Sequence, residues 1–318
     1  MRRRNFDEGW KRVLERYLWD FFDFYFPHIS VFIDKNKPYS FLDKELAKLS
    51  FKSASKNRTV DKLVKLFLKN NEPFYALIHI EIQTYPEKAF AERMFIYHYR
   101  IFDKFRRPLA SLAILADNSP SFRKSSYSLE LCGKKFVNFE FEVVKLLDFK
   151  GKEEELKQSS NPFALVTLAM LKCYEKDYNS RYKWKRMLTL LLYEKGYSKE
   201  DIIFLYEFLE AVMVLPEPLE IQYRKEILEY EEEKDMPYVS TARKIWQEEA
   251  RKEGREEGIK VGREEGIKVG REEGIKVGRE EGRIKGIKED ILVVLKERFK
   301  KVPPESIKKR VREIEEEK

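Results

Sequence analysis

Arg58-Thr59-Val60-Asp61-Lys62-Leu63-Val64-Lys65-Leu66-Phe67-Leu68 is followed by Lys69-Asn70-Asn71-Glu72-Pro73 and then by Phe74-Tyr75-Ala76-Leu77-Ile78-His79-Ile80-Glu81-Ile82-Gln83-Thr84. The first stretch alternates well enough for a strand, and the second is a strong strand of β-branched and aromatic residues. The polar segment between them carries turn residues. Together they predict a β-hairpin over 58–84. Strand side chains alternate between faces, so Glu81 and Gln83 share one face and Ile80 and Ile82 the other. Asp61 and Glu81 lie on facing parts of the hairpin.

Outward from the hairpin, residues 1–26 carry apolar residues at helical spacing, from Trp10, Val13 and Leu14 to Phe21 and Phe22. Residues 39–49 read as a second, short helix with Ser40 as N-cap. After Tyr85-Pro86, residues 87–104 form an amphipathic helix. Leu109 to Ala116 is a buried strand, and residues 126–149 hold two more strand-like stretches around Gly133. From Asn161 to about Arg251 the pattern is helical, interrupted at Pro216 and Pro218. Residues 287–318 are a charged helix broken at Pro303-Pro304.

Nine of the 13 glycines recur every fourth residue from Gly254 to Gly286. The unit Arg-Glu-Glu-Gly-Ile-Lys-Val-Gly is intact at 255–262, 263–270 and 271–278 and degrades at 279–286. Eight residues turn a helix by about 80° beyond whole turns, so Ile and Val spiral around the axis. Each glycine costs about 1 kcal/mol against alanine, while Glu–Lys/Arg neighbours return a few tenths each. The expectation is a marginal, frayed helix or a flexible charged tether. The period fits no solenoid family.

Composition narrows the classes. Apolar residues are 42% of the 318 and aromatics 14%, enough for a core. This excludes a collagen-like chain, a disulfide scaffold and a wholly disordered protein. No apolar run reaches the ~18 residues of a membrane span. The N-terminal residues lack a secretory h-region, so the expectation is a cytoplasmic protein without a membrane partner. Net charge is +8, shared evenly between residues 1–250 and 251–318. That is compatible with nucleic-acid binding but is weak support for it. Cys132 and Cys173, with three histidines, do not suggest a structural zinc site.

Asp61 and Glu81, with a strand carbonyl such as that of Ile82, would make an oxygen-rich site suited to Mg²⁺. Such an ion polarises a phosphodiester and stabilises a departing oxygen. The competing reading of the same residues is a hairpin with one polar edge face. Glu45 on the early helix is a candidate third acid, or a solvated helix residue. Asp34 and Asp43 are weaker alternatives. Arg93, Arg100, Arg106 and Arg107 could contact DNA phosphates or form surface ion pairs. His79 and His98 read as packing or hydrogen-bonded residues rather than ligands. The aromatic runs 19–26 and 97–102 fit a core better than a base-stacking platform.

Trp19-Asp20-Phe21-Phe22, Phe41-Leu42-Asp43-Lys44-Glu45-Leu46, Asp61-Lys62-Leu63-Val64-Lys65, Leu77-Ile78-His79-Ile80-Glu81-Ile82-Gln83, Glu92 to Arg100 and Leu112 to Asp117 resemble the Rpn family. These are recombination-promoting nucleases, some labelled transposases, in the PD-(D/E)XK nuclease superfamily. The resemblance covers roughly residues 5–150. It implies an α/β fold with a restriction-endonuclease-like αβββαβ core, here followed by an all-α region and a charged helical or flexible repeat tail. The implied divisions are a nuclease-like domain (1–155), a helical domain (156–250), a repeat linker (251–286) and a C-terminal helix (287–318). The implied catalytic set is Asp61, Glu81, Gln83 and Glu45, with metal ligands Asp61, Glu81 and the Ile82 carbonyl.

The implied cofactor is Mg²⁺, with Mn²⁺ or Ca²⁺ as alternatives, and the implied partner is DNA. Gln83 stands where the superfamily has lysine, so it can hold water or a phosphate oxygen by hydrogen bonds but brings no charge. Val60, not proline, precedes Asp61. The implied function is metal-dependent DNA endonuclease activity that promotes recombination or transposition-related processes. The rival is an inactive nuclease fold serving as a DNA-binding or protein-interaction module. A third reading makes residues 250–318 a homo-oligomerisation coil, though the register suits no simple two-stranded coil.

Overall fold

The structure is a computed structural model that describes residues 6–49, 60–69 and 75–314. Two helices, α1 (Phe6–Arg16) and α2 (Leu18–Tyr25), replace the single helix expected over 1–26. Tyr17 separates them with a non-helical backbone (φ −120°, ψ 42°). Residues 1–5 of that expected helix lie outside the described residues. One turn, α3 (Pro27–Ser30), follows. The helix expected over 39–49 also divides. Ser40 is not its N-cap but part of a short strand, β1 (Ser40–Phe41), paired with Lys65 and Val64. α4 (Asp43–Leu49) instead starts at Leu42, whose carbonyl accepts the Leu46 amide at 3.0 Å.

The hairpin strands are β2 (Val60–Phe67) and β3 (Tyr75–Gln83). The turn expected between them lies, over 70–73, outside the described residues, as do Arg58, Thr59 and Phe74. α5 (Phe90–Phe105) crosses from β3 to β4 (Leu109–Leu115), which runs parallel to β3. The region around Gly133 forms a separate two-stranded ribbon, β5 (Ser126–Leu131) and β6 (Lys134–Glu140). Cys132 and Gly133 both have positive φ (50° and 75°), as a tight two-residue hairpin turn requires. β7 (Glu142–Lys145) then returns beside β4, and a 3₁₀ turn at Leu146–Phe149 ends the run.

The main sheet has the order β1-β2-β3-β4-β7, antiparallel from β1 to β3 and parallel from β3 to β7. The fold is therefore mixed α/β with a five-stranded mixed sheet. The helix–hairpin–helix–strand order is as expected. The third strand ahead of the crossover helix is β1, which precedes α4 rather than following it. β3, at the centre, is buried along nearly its whole length.

α6 (Glu153–Gln158) was not anticipated; it is short and almost wholly polar, with Leu156 alone buried. α7 (Pro162–Cys173), α8 (Tyr178–Glu194) and α9 (Lys199–Val212) follow. Pro218 does not interrupt a helix. It lies in the first turn of α10 (Glu217–Lys234), where its missing N–H has no intrahelical partner to lose. The expected 155/156 boundary falls inside one compact unit, Met1–Ala242. Trp10 of α1 and Phe21 of α2 pack on Phe163 of α7, so the later helices complete the core begun by the first ones. Gly9 allows α1 to approach α9 closely: a Cβ there would meet the Phe208 ring at 3.0 Å.

Arg243–Lys318 form the second unit. The repeat is one continuous helix in the structure. It belongs to α11 (Tyr238–Phe299), 62 residues long. Its glycines meet no neighbour within 4 Å of a built Cβ, and Ile259, Val261 and Ile267 are exposed. Ion pairs along the surface, such as Arg283 with Glu280, support the helix locally. α12 (Glu305–Arg312) follows Pro303-Pro304, with Pro304 as its N-cap residue. Among the described residues no helix is long and apolar enough to cross a membrane.

Candidate metal centre

Asp61 of β2 stands directly opposite Glu81 of β3 in the antiparallel register. Opposed residues project to the same face. Leu77, His79, Glu81 and Gln83 alternate along that face of β3, and α5 covers it, with Tyr97 and Ile101 packed beside Leu63 and Leu77. One ligand atom each from Asp61, His79 and Glu81 lie within 4.8 Å of one another. Asp61 is half-buried, while His79, Glu81 and Gln83 are 0% exposed.

Arg93 reaches this group from α5. Its Nε donates to Glu81 Oε1 at 3.0 Å and its Nη2 to Gln83 Oε1 at 2.9 Å. It also pairs with Glu87. Gln83 Nε2 donates to the Tyr85 carbonyl at 2.7 Å, so the amide links the end of β3 to the guanidinium. The cation beside Gln83 and Glu81 thus comes from the covering helix.

These surroundings set the protonation of each group. Burial and the neighbouring Asp61 push the Glu81 carboxyl up to about 8, against the attraction of Arg93. Burial, His98 and Arg93 push His79 down to about 3, which keeps its ring neutral. Burial raises Tyr97, and Asp61, to which its hydroxyl is hydrogen-bonded, raises it further. Burial opposes the Arg93 charge, but Glu81 and Glu87 more than compensate.

The other expected residues are placed differently. Glu45 is half-buried on α4 and outside the three-residue cluster. Asp43 pairs with Lys62, and Asp34 lies 3.6 Å from Lys37. The Ile82 side chain is buried on the opposite face, and its strand is paired on both sides. Arg100 donates to the Leu49 carbonyl, Arg106 pairs with Asp103, and Arg107 lies over the Tyr75 ring at 5.0 Å. His98 is hydrogen-bonded to Ser111 at 2.9 Å. Phe21, Phe22 and Phe26 are core residues, whereas Tyr99 and Phe102 are exposed.

Arg93, expected as a phosphate contact or a surface ion pair, is instead ion-paired with buried Glu81. Arg93 lies one helical turn from buried Tyr97 (i, i+4), so a charged residue on a buried stripe was the available signal. His79, expected as a packing residue, is fully buried against the Tyr97 ring at 5.2 Å and lies two residues before Glu81 on the same face.

The residues fit a divalent cation. Glu81 Oε2 and both His79 ring nitrogens are buried without a hydrogen-bond partner among the described residues. Leaving such atoms unsatisfied costs about 1–3 kcal/mol each. Ligands on one ion lie up to about twice a ~2.0–2.3 Å bond apart, close to the separation in the cluster. A divalent ion would favour the ionised Glu81 carboxylate against the burial and the Asp61 charge that push its carboxyl up. No protein-family model, curated protein or solved structure matches this chain.

Proposed function

We propose that this chain is a divalent-metal-dependent DNA endonuclease of the Rpn type, built on a PD-(D/E)XK-like core. The observation that carries the reading is the register that sets Asp61 opposite Glu81, with Glu81 Oε2 buried and without a hydrogen-bond partner among the described residues. Asp61 and Glu81 would hold the ion, and Asp61, the half-buried member, is the side on which a phosphate can approach. A bound divalent cation supplies Lewis-acid stabilisation of phosphoryl charge and of the departing oxygen.

The remaining work falls to the chain's own side chains. Arg93, fixed by Glu81, Glu87 and Gln83, presents positive charge for the non-bridging oxygens of the reacting phosphate. Gln83 holds Arg93 and is a positioning residue in this account. Water supplies the oxygen of the new P–O bond, one existing P–O bond breaks, and the departing oxygen leaves as a hydroxyl after taking a proton. Glu45 has no role in it. Recombination is the process in which such breaks would act.

The rival is a DNA-binding or protein-interaction module without catalysis. It is favoured by the complete burial of Glu81 under Arg93. Supercoiled-plasmid cleavage by the full chain separates the two. Nicking in Mn²⁺ or Mg²⁺ that EDTA abolishes, and that falls at least ~10²-fold in Asp61→Asn and Glu81→Gln, supports the nuclease. A folded wild type that binds DNA without cutting it in any divalent ion supports the module.

A further inference from the structure

We infer that His79 is a third ligand of this centre, so that Asp61, His79 and Glu81 form a two-carboxylate, one-imidazole site that takes a first-row transition ion such as Mn²⁺ in preference to Mg²⁺ or Ca²⁺. The inference rests on the metal-dependent reading above and names the class of ion.

The contrast between His79, fully buried on β3, and His98, half-buried on α5, is the first support. His98 satisfies its Nδ1 with the Ser111 hydroxyl at 2.9 Å. His79 is in register with that same Ser111 on β4, yet neither of its ring nitrogens has a hydrogen-bond partner among the described residues. Leu63 stands opposite His79 on β2, and the Tyr97 ring lies 5.2 Å away. The polar groups around the imidazole include the two carboxylates of the cluster, with His98 and Arg93 also near enough to act on it.

A histidine serving only as packing would be a poor choice at this position. Leucine would fill an apolar site without burying two bare nitrogens. A cation shared with Asp61 and Glu81 gives one of those nitrogens a partner and gives Glu81 Oε2 one as well. The donor set then fixes the class of ion. Oxygen-only sites suit Mg²⁺ and Ca²⁺, whereas an imidazole nitrogen favours Mn²⁺ and the later first-row metals. Three ligands leave open positions for water and a phosphate oxygen.

The test is metal binding by the full chain without DNA. Pulsed electron paramagnetic resonance of Mn²⁺-loaded wild type should show a ¹⁴N coupling, and titration calorimetry should show Mn²⁺ binding at least about 10-fold tighter than Mg²⁺. In His79→Leu the ¹⁴N coupling should vanish and Mn²⁺ affinity should fall about 10-fold or more, with Mg²⁺ affinity changed less than about threefold. His79→Gln serves if His79→Leu misfolds, and the wild-type spectrum needs no variant. Mn²⁺ bound without ¹⁴N coupling, at an affinity lowered by Asp61→Asn but not by His79→Leu, overturns the inference and leaves the two-carboxylate nuclease standing. No divalent binding to wild type overturns both.

Discussion

At Arg93 one guanidinium meets three side chains from three positions of the chain: Glu81, Gln83 and Glu87. Its fork shape suits this in a way a lysine would not. The site therefore has its cation, and a second one at Gln83 would be repelled. Gln83→Lys is expected to destabilise the fold by about 2–4 kcal/mol, because two cations would share a buried site. Arg93→Gln should cost a similar amount by stripping Glu81 of its partner. The double variant Gln83→Lys with Arg93→Gln restores one cation beside Glu81 and should be more stable than either single variant. Urea melts of the four proteins measure this, and a double variant as unstable as the sum of the singles would refute the charge-exchange argument. At this scale the shared face of Glu81 and Gln83 was legible, because alternation fixes it within a strand, whereas Asp61 joins them through the hairpin register. Arg93 was not, because its meeting with Glu81 depends on how the crossover helix lies on the sheet.

Between elements, the seam of α1 and α9 shows how a few polar groups anchor helices far apart in sequence. Asp201 on α9 accepts from Arg16 Nε at 2.9 Å, from the Tyr17 hydroxyl at 2.5 Å and from the Ser198 hydroxyl at 2.7 Å. Arg12 pairs with Glu207 along the same seam. Burial pushes the Asp201 carboxyl up, but hydrogen bonds from Tyr17, Ser198 and Arg16 outweigh it and hold the carboxyl below its usual range. The unfolded chain then binds the proton more readily than the folded one. The stabilisation is complete above the ordinary aspartate value of about 4 and is lost as pH falls below it.

Melting temperature should therefore decline from about pH 5 to pH 3, and Asp201→Asn should be less stable at pH 7 with a shallower decline. A variant whose acid slope matches wild type would exclude Asp201 as a contributor. Among the elements, β2, β3, α5 and β4 follow from periodicity and turn residues. The split of 39–49 into β1 and α4 does not, because Ser40 and Phe41 become a strand only by pairing with β2. The length of α11 was equally hidden: propensity alone sets nine glycines against the helix, and ion pairs at helical spacing must offset them.

The molecule as a whole brings the sheet, its crossover helix and the later helices into one unit, Met1–Ala242, with Arg243–Lys318 as another. Helix α7 is part of the core because Phe163 completes the aromatic cluster of α1 and α2. That joining of distant segments is a long-range packing event, which local patterns do not contain. The chemistry proposed here needs only the central strands and the helix over them. Its central claim is that Asp61 and Glu81 share one divalent cation. The most direct measurement is diffraction from crystals of the full chain grown with Mn²⁺, with data collected for anomalous scattering. The account expects a peak within about 2.0–2.4 Å of an Asp61 oxygen and of Glu81 Oε2. Clear density for both carboxylates with no anomalous peak between them would contradict it.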